Sequence, residues 1–264
     1  MSIDVLQHKL QGIADGLDGV MSLCVEVDGQ TVTVGPQDRF SAASTIKVPI
    51  MVAAFMQAQR GVLDLNQIIL VPERERVGGS GVVSRLSQGV ALPLIDLVTL
   101  MIIVSDNTAT NLCIDAVGIV AINEYLAMAG CKDTLLGRRL MDYEARRRGR
   151  DNFASAQDMV VIFRDLWCGT TLDSVYRQTA LDILFDQQFR DKLPRRIPHD
   201  GDRVRVAHKT GELQHIEHDT GILVVDGKPA FIAALTRDLA EPAAGRVAIG
   251  EVGLAVYKYM EGAL

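Results

Sequence analysis

Phe40-Ser-Ala-Ala-Ser-Thr-Ile-Lys-Val-Pro49 sets a serine, Ser44, three positions ahead of a lysine, Lys47, at the head of a long apolar stretch. If Ser44 opens a helix, Lys47 lies about 300° further round and near the same face. An alcohol becomes a useful nucleophile only when a base takes its proton, and a lysine held there serves once its own proton is displaced. A helix N-terminus and a neighbouring ammonium both disfavour protonation of such a lysine. Read alone, the same pattern is equally a cap serine followed by a surface lysine. What decides between them is the chain on either side.

Before the segment the signals belong to one opening helix and a hairpin. Ile3, Leu6, Leu10, Ile13 and Leu17 fall at helical spacing over residues 3–18, and Gly19 stops them. Residues 20–27 and 31–34, joined through Asp28-Gly29, predict two antiparallel strands. After the segment the pattern turns helical over 45–60, with Pro49 predicting a kink because it removes an amide donor. Residues 72–89 read as loop, centred on Val77-Gly-Gly-Ser-Gly81, and helices are predicted at 94–103, 109–117, 120–128, 156–168 and 172–185. A polar, arginine-rich loop separates the third of these from the fourth. Strand signals return at 203–209, 220–225 and 230–236, the last two joined by Asp226-Gly227-Lys228, and an apolar helix over 243–260 ends the chain.

Strands at both ends and helices between them predict an α+β, two-lobed fold. Residues 1–40 and 191–264 form a discontinuous lobe with one antiparallel sheet and its flanking terminal helices. Residues 41–190 form an inserted all-helical lobe, and the active site is expected in the cleft between the two.

Composition narrows the function. The 48% hydrophobic and 23% charged content is that of an ordinary globular protein. A formal net charge of −6 opposes binding to a phosphate backbone, and the one basic cluster, Arg146-Arg147-Arg148-Gly-Arg150, is set among acids without interleaved aromatics. Nucleic acid is therefore not an expected partner, nor is membrane insertion, because no window reaches the roughly 18 apolar residues that a span needs. The N-terminus lacks the basic and apolar regions of a secretory leader. The expected location is cytoplasmic if the sequence is complete as given, and periplasmic or secreted if a leader has been removed. Cys24, Cys113, Cys131 and Cys168 are widely spaced and predict buried free thiols rather than a metal site. The chain is expected to be a monomer acting on a small molecule.

Two further short motifs accompany Ser44 and Lys47. Ser105-Asp106-Asn107 sits between two predicted helices, where Ser105 and Asn107 project from one tight loop and Asp106 caps the second helix. Lys209-Thr210-Gly211 ends a predicted strand, where lysine and threonine hold a carboxylate and glycine lets substrate backbone approach. Each is common alone, but their order and predicted context together are not. On these residues the chain resembles serine β-lactamases of class A and their penicillin-binding relatives.

The resemblance implies an acyl-enzyme on Ser44, with Lys47, Glu144 through a water, or both as the base that takes its proton, Ser105 as proton donor to the leaving nitrogen, and no metal or organic cofactor. It implies an oxyanion hole from the amides of Ser44 and Glu212, a carboxylate site at Lys209 and Thr210, and Asn107 on the substrate's side-chain amide. Arg139-Leu-Met-Asp-Tyr-Glu144 resembles the start of the family's omega loop and implies Glu144 as the base that activates the deacylating water. Gly79-Ser80-Gly81 resembles the family's loop at the cleft rim but lacks the aromatic that many penicillinases place there, and the chain departs from the pattern in three further places. Arg148 stands where an asparagine helps hold the deacylating water, the omega loop is short, and His218 stands where an arginine often binds the substrate carboxylate. These departures leave a D-alanyl-D-alanine carboxypeptidase or esterase, and a non-hydrolytic penicillin-binding sensor, as alternatives to a β-lactamase.

Overall fold

The computed structural model describes residues 2–264. Helix α1 (Ile3–Asp15) is followed by β1 (Val20–Val27) and β2 (Gln30–Val34), joined through Asp28 and Gly29 at positive φ, as a tight hairpin turn requires. A two-residue strand β3 (Phe40–Ser41) then leads into a 3-10 turn, Ala43–Ile46, that carries Ser44 and runs straight into α2 (Lys47–Gln59). Pro49 falls in the first turn of α2, where its missing amide hydrogen has no intrahelical partner to lose, so it does not interrupt the helix.

The helical lobe contains α3 (Leu94–Ile103), α4 (Asn107–Val117), α5 (Ile119–Met128), a short α6 (Tyr143–Arg147), α7 (Ala156–Cys168) and α8 (Ser174–Phe185). Two minor strand pairs were not foreseen: β4 (Ile68–Leu70) with β5 (Ala91–Pro93), and β3 with β6 (Phe153–Ala154). The second ties the exit of the loop that contains α6 to the strand before Ser44, and a bridge between Leu135 and Phe153 closes the neck of that loop. Helix α2 is buried on nearly every side, as its almost uninterrupted apolar sequence demands, and Lys47 is its single charged residue.

The chain then returns to the sheet through β7 (Val204–Leu213), β8 (Ile216–Val225) and β9 (Lys228–Arg237), and ends in α9 (Pro242–Met260). The sheet order is β2-β1-β9-β8-β7, antiparallel throughout, so the two ends of the chain pair through β1 and β9 and β7 forms an edge. Alternation along the strands builds two cores. Leu23, Val25, Val206 and Ile232 pack under α1 and α9, whereas Cys24, Ala207, Ile222 and Ala233 face the helical lobe. By the same alternation Lys209 shares the face of Ala207 and points at the helical lobe, while His208 points the other way. Cys24, Cys113 and Cys131 are buried free thiols, but Cys168, at the end of α7, is exposed. Among the described residues no single helix is long and apolar enough to cross a membrane.

Candidate active site

Ser44 is part-exposed at the entry of α2, between the β7 edge and the loop before α4. Ala43 just before it has φ of 46°, a left-handed conformation that costs a non-glycine residue energy. Ser105 is held at φ of 55°. Strain at both positions is tolerated because the surrounding bonds fix them.

Those bonds converge on two lysines. Lys47 is fully buried and its Nζ lies 2.7 Å from Ser105 O, 3.0 Å from Ser105 Oγ and 2.9 Å from Asn107 Oδ1. Lys209, also fully buried, lies 3.1 Å from the same Ser105 Oγ and 2.9 Å from Thr210 O. Burial, and then the charge of Lys209, push the proton affinity of Lys47 well below that of a free lysine. Burial and the charge of Lys192 bring Lys209 down to about 7. A neutral Lys47 donates to Ser105 O and Asn107 Oδ1 and keeps its lone pair for a hydroxyl proton. Ser105 thus bridges two amines, one of them suited to accept and the other to donate.

Asp106 caps α4 as expected, accepting from Ala109 N at 2.8 Å, and its other oxygen accepts from Val82 N at 2.6 Å and Val83 N at 2.7 Å. It therefore also fixes the rim loop. A Cβ on Gly81 would sit 2.2 Å from Asp106 Oδ2, so that glycine is what lets the rim come so close. Asn107 spends both ends of its amide within the protein, accepting from Lys47 and donating to Gly78 O at 3.1 Å. On the other wall, a Cβ on Gly211 would meet Ala43 Cβ at 3.1 Å and Ser44 N at 3.3 Å. Glycine there allows β7 to lie against the nucleophile's own amide and brings the Glu212 segment alongside.

Two cavities open at Ser44. One, of about 320 Å³, is lined by Ser44, Ser80, Ser105, Thr210, Glu212 and Arg190. The other, of about 240 Å³, lies under the loop containing α6 and is lined by Ser44, Gly79, Asn107, Leu140, Met141 and Tyr143. The Glu212 side chain is half-exposed and pairs with Lys192 at 3.0 Å.

Two expected residues lie elsewhere. Glu144 is exposed on α6 and forms an ion pair with Arg148, one helical turn on; it lines neither cavity. The reason is local. Asp142 caps α6 by accepting from Ala145 N at 2.9 Å, while Asn111 grips the backbone of Leu140, accepting its N–H at 2.8 Å and donating to its carbonyl at 3.1 Å. The loop is thus drawn into the cleft at Leu140, and Glu144 is carried outward. Arg138–Asp151 at 2.8 Å closes the base of the loop. His218 is fully buried, with Nε2 2.9 Å from Ser41 O and Nδ1 accepting from Thr236 N at 3.0 Å. Burial lowers it to about 4, so it is a neutral tie between β8 and the strand before Ser44, and it offers no charge to a carboxylate.

The sequence reading gave no role to Leu140, although it lies inside the Arg139–Glu144 segment, nor to Asn111, Arg190 and Lys192. No group of His, Cys, Asp and Glu suited to holding a metal ion occurs among the described residues.

Residues 5–260 match the family described as "Beta-lactamase enzyme family". The chain is 23% identical over 279 aligned residues to the extended-spectrum beta-lactamase PER-1 of Pseudomonas aeruginosa, covering 97% of this chain and 87% of that one. Its fold superposes on a beta-lactamase from Sphaerobacter thermophilus with a TM-score of 0.91 at 29% identity, covering 99% and 98% of the two chains. It also superposes on PBP-A with a TM-score of 0.86 at 26% identity, covering 98% and 96%. A leucine-to-glutamate mutant of PBP-A, solved as its acyl-enzyme complex with penicillin G, gives a TM-score of 0.87 at 26% identity, covering 98% and 97%.

Proposed function

The chain belongs to the beta-lactamase enzyme family, and we propose that this serine hydrolase opens a β-lactam ring on Ser44 quickly and gives up the acyl group slowly. The observation that carries this reading is the bonded chain Lys47–Ser105–Lys209 at the foot of a part-exposed Ser44. Ser44 Oγ attacks the lactam carbonyl carbon, and its proton passes to neutral Lys47. The amides of Ser44 and Glu212 hold the developing oxyanion, a service whose loss typically costs about 3 kcal/mol of barrier. As the C–N bond breaks, Ser105 delivers its proton to the nitrogen and is reprotonated from its lysine neighbours. Protonated Lys209, with Thr210, favours substrates that carry a carboxylate near the scissile bond.

Release needs a water activated on the other face of the ester. Leu140 occupies that side of Ser44, and Glu144 faces solvent. Two other carboxylates line that cavity and both are engaged, Asp151 by Arg138 at 2.8 Å and Arg146 at 3.2 Å, and Glu212 by Lys192 at 3.0 Å. With no free carboxylate there, hydrolysis of the acyl-enzyme is the slow step.

Mixing the protein with benzylpenicillin while following lactam absorbance tests this. The expected trace is a burst of about one equivalent followed by slow turnover, abolished in Ser44→Ala. Continuous rapid hydrolysis without a burst would overturn slow release, and neither burst nor turnover would overturn the β-lactam reading itself.

A further inference from the structure

We propose that Lys192, which lies outside every recognised motif, is a positioning residue for the Ser44 reaction: its ammonium clamps β7 to β8 where β7 carries Lys209 and the Glu212 amide. This rests on the acyl-transfer reading above. Lys192 is fully buried, and its Nζ lies 3.1 Å from Gly211 O and 3.3 Å from His218 O, the carbonyls of two residues paired across β7 and β8. It also meets Glu217 at 2.7 Å and Glu212 at 3.0 Å. A buried ammonium is costly unless its protons are satisfied, and here every partner belongs to the two strands beside the nucleophile.

The segment that carries Lys192 is itself anchored. A Cβ on Gly253 of α9 would lie 2.1 Å from Leu193 O, so α9 and this segment are in direct backbone contact. Leu193 N donates to Asp219 Oδ2 at 3.0 Å, and Asp219 in turn holds His208 Nδ1 at 2.9 Å. Arg246 of α9 reaches Glu217 at 2.8 Å and Asp191 at 3.8 Å. Lys192 is therefore a fixed point from which the β7 edge is held, next to the close approach of Gly211 to Ser44 N.

The ammonium acts a second time through its charge. It is the main charged neighbour that lowers Lys209, and Lys209 is the main charged neighbour that lowers Lys47. Three lysines thus pass one effect from the back of the sheet to the base beside Ser44. The other charged or titratable groups on the sheet side include His208 and Glu212 on β7, Glu217, His218 and Asp219 on β8, Arg246 on α9, and Arg190 and Asp191 just before Lys192. On the helical side Asp106 faces Lys47.

The test measures the acylation rate with benzylpenicillin by intact mass across pH, in wild type, Lys192→Met, Glu217→Gln and the double variant. A melting curve checks the folding of each protein. Removing the ammonium is expected to slow acylation at pH 7 by about 10- to 100-fold and to move the limb of the profile set by Lys209 upward by about one pH unit. Glu217→Gln keeps the ammonium and removes a nearby anion, so its limb stays or moves down. The double variant removes both buried charges, and it carries the Lys192→Met prediction if the single variant does not fold. A folded Lys192→Met or double variant that acylates like wild type would overturn the proposal. So would an equal slowing at every pH with the limb unmoved, which is what a purely structural lysine gives. An upward limb in Glu217→Gln would overturn it too. No adduct in wild type would instead refute the acyl-transfer reading on which it rests.

Discussion

On the floor of the cleft Lys47, Ser105 and Lys209 are buried and bonded to one another, whereas on the roof Glu144, Arg147 and Arg148 are exposed. The floor is built from a helix entry, a helix-linking loop and an edge strand that packing places within hydrogen-bond reach. Its side chains have no solvent to fall back on, so each must find a protein partner. The roof is a loop pinned at Arg138–Asp151 and at Leu140, with a short helix left free to point its polar side chains outward. A short motif fixes chemistry when its residues are buried. On an exposed loop the same residue types say little about which of them faces the substrate.

The largest test of this contrast is on the floor. Replacing Lys47 with alanine is expected to slow acylation by about 10³-fold, within the range of a lost general base. An acylation rate within tenfold of wild type would mean that the proton of Ser44 leaves by another route. The next test is on the roof. Leu140→Glu places a carboxylate where the loop enters the cleft and is expected to speed deacylation by about 100-fold while acylation is little changed. Unchanged deacylation would mean that position 140 does not address the ester.

The third test concerns the buried tie. His218 titrates near 4 in the folded protein against about 6.5 in an unfolded chain, so between these values the unfolded state binds more protons. The stability this group contributes is fully present above pH 6.5 and is lost as pH falls through 4, about 3 kcal/mol in total. The melting temperature should therefore fall across that window, and His218→Asn should flatten the fall. An equally steep fall in the variant would place the acid sensitivity elsewhere.

The smallest effect is expected from Glu144. Converting it to glutamine removes an exposed ion pair with Arg148 and should leave acylation, deacylation and stability within about twofold of wild type.

Much of this arrangement was legible in the chain. Helices α3 and α7 begin and end where periodicity and caps place them, and both Asp-Gly turns form hairpins. The β7 strand runs further than its signal, because pairing with β8 carries it through Lys209-Thr210-Gly211 to Leu213. The minor pairs β3–β6 and β4–β5 have no local signature at two and three residues each. Ser44, Lys47, Ser105 and Asn107, singled out by type and spacing together, come together at one cleft. Leu140 and Lys192 escaped because one is an ordinary leucine held by a distant asparagine, and the other is a lysine whose partners lie on strands further along the chain. His218 stands where relatives often carry an arginine, and a position in a sequence cannot reveal that burial and two backbone bonds consume its ring.

In the proposed reaction the floor acylates and the roof does not release. Intact mass of wild type and Glu144→Gln, followed after a pulse of benzylpenicillin and removal of the excess, tests it most directly. One adduct per chain is expected in both, absent in Ser44→Ala, persisting and decaying at the same slow rate. Rapid loss of the adduct in wild type, slowed in Glu144→Gln, would contradict it and return the deacylating base to α6.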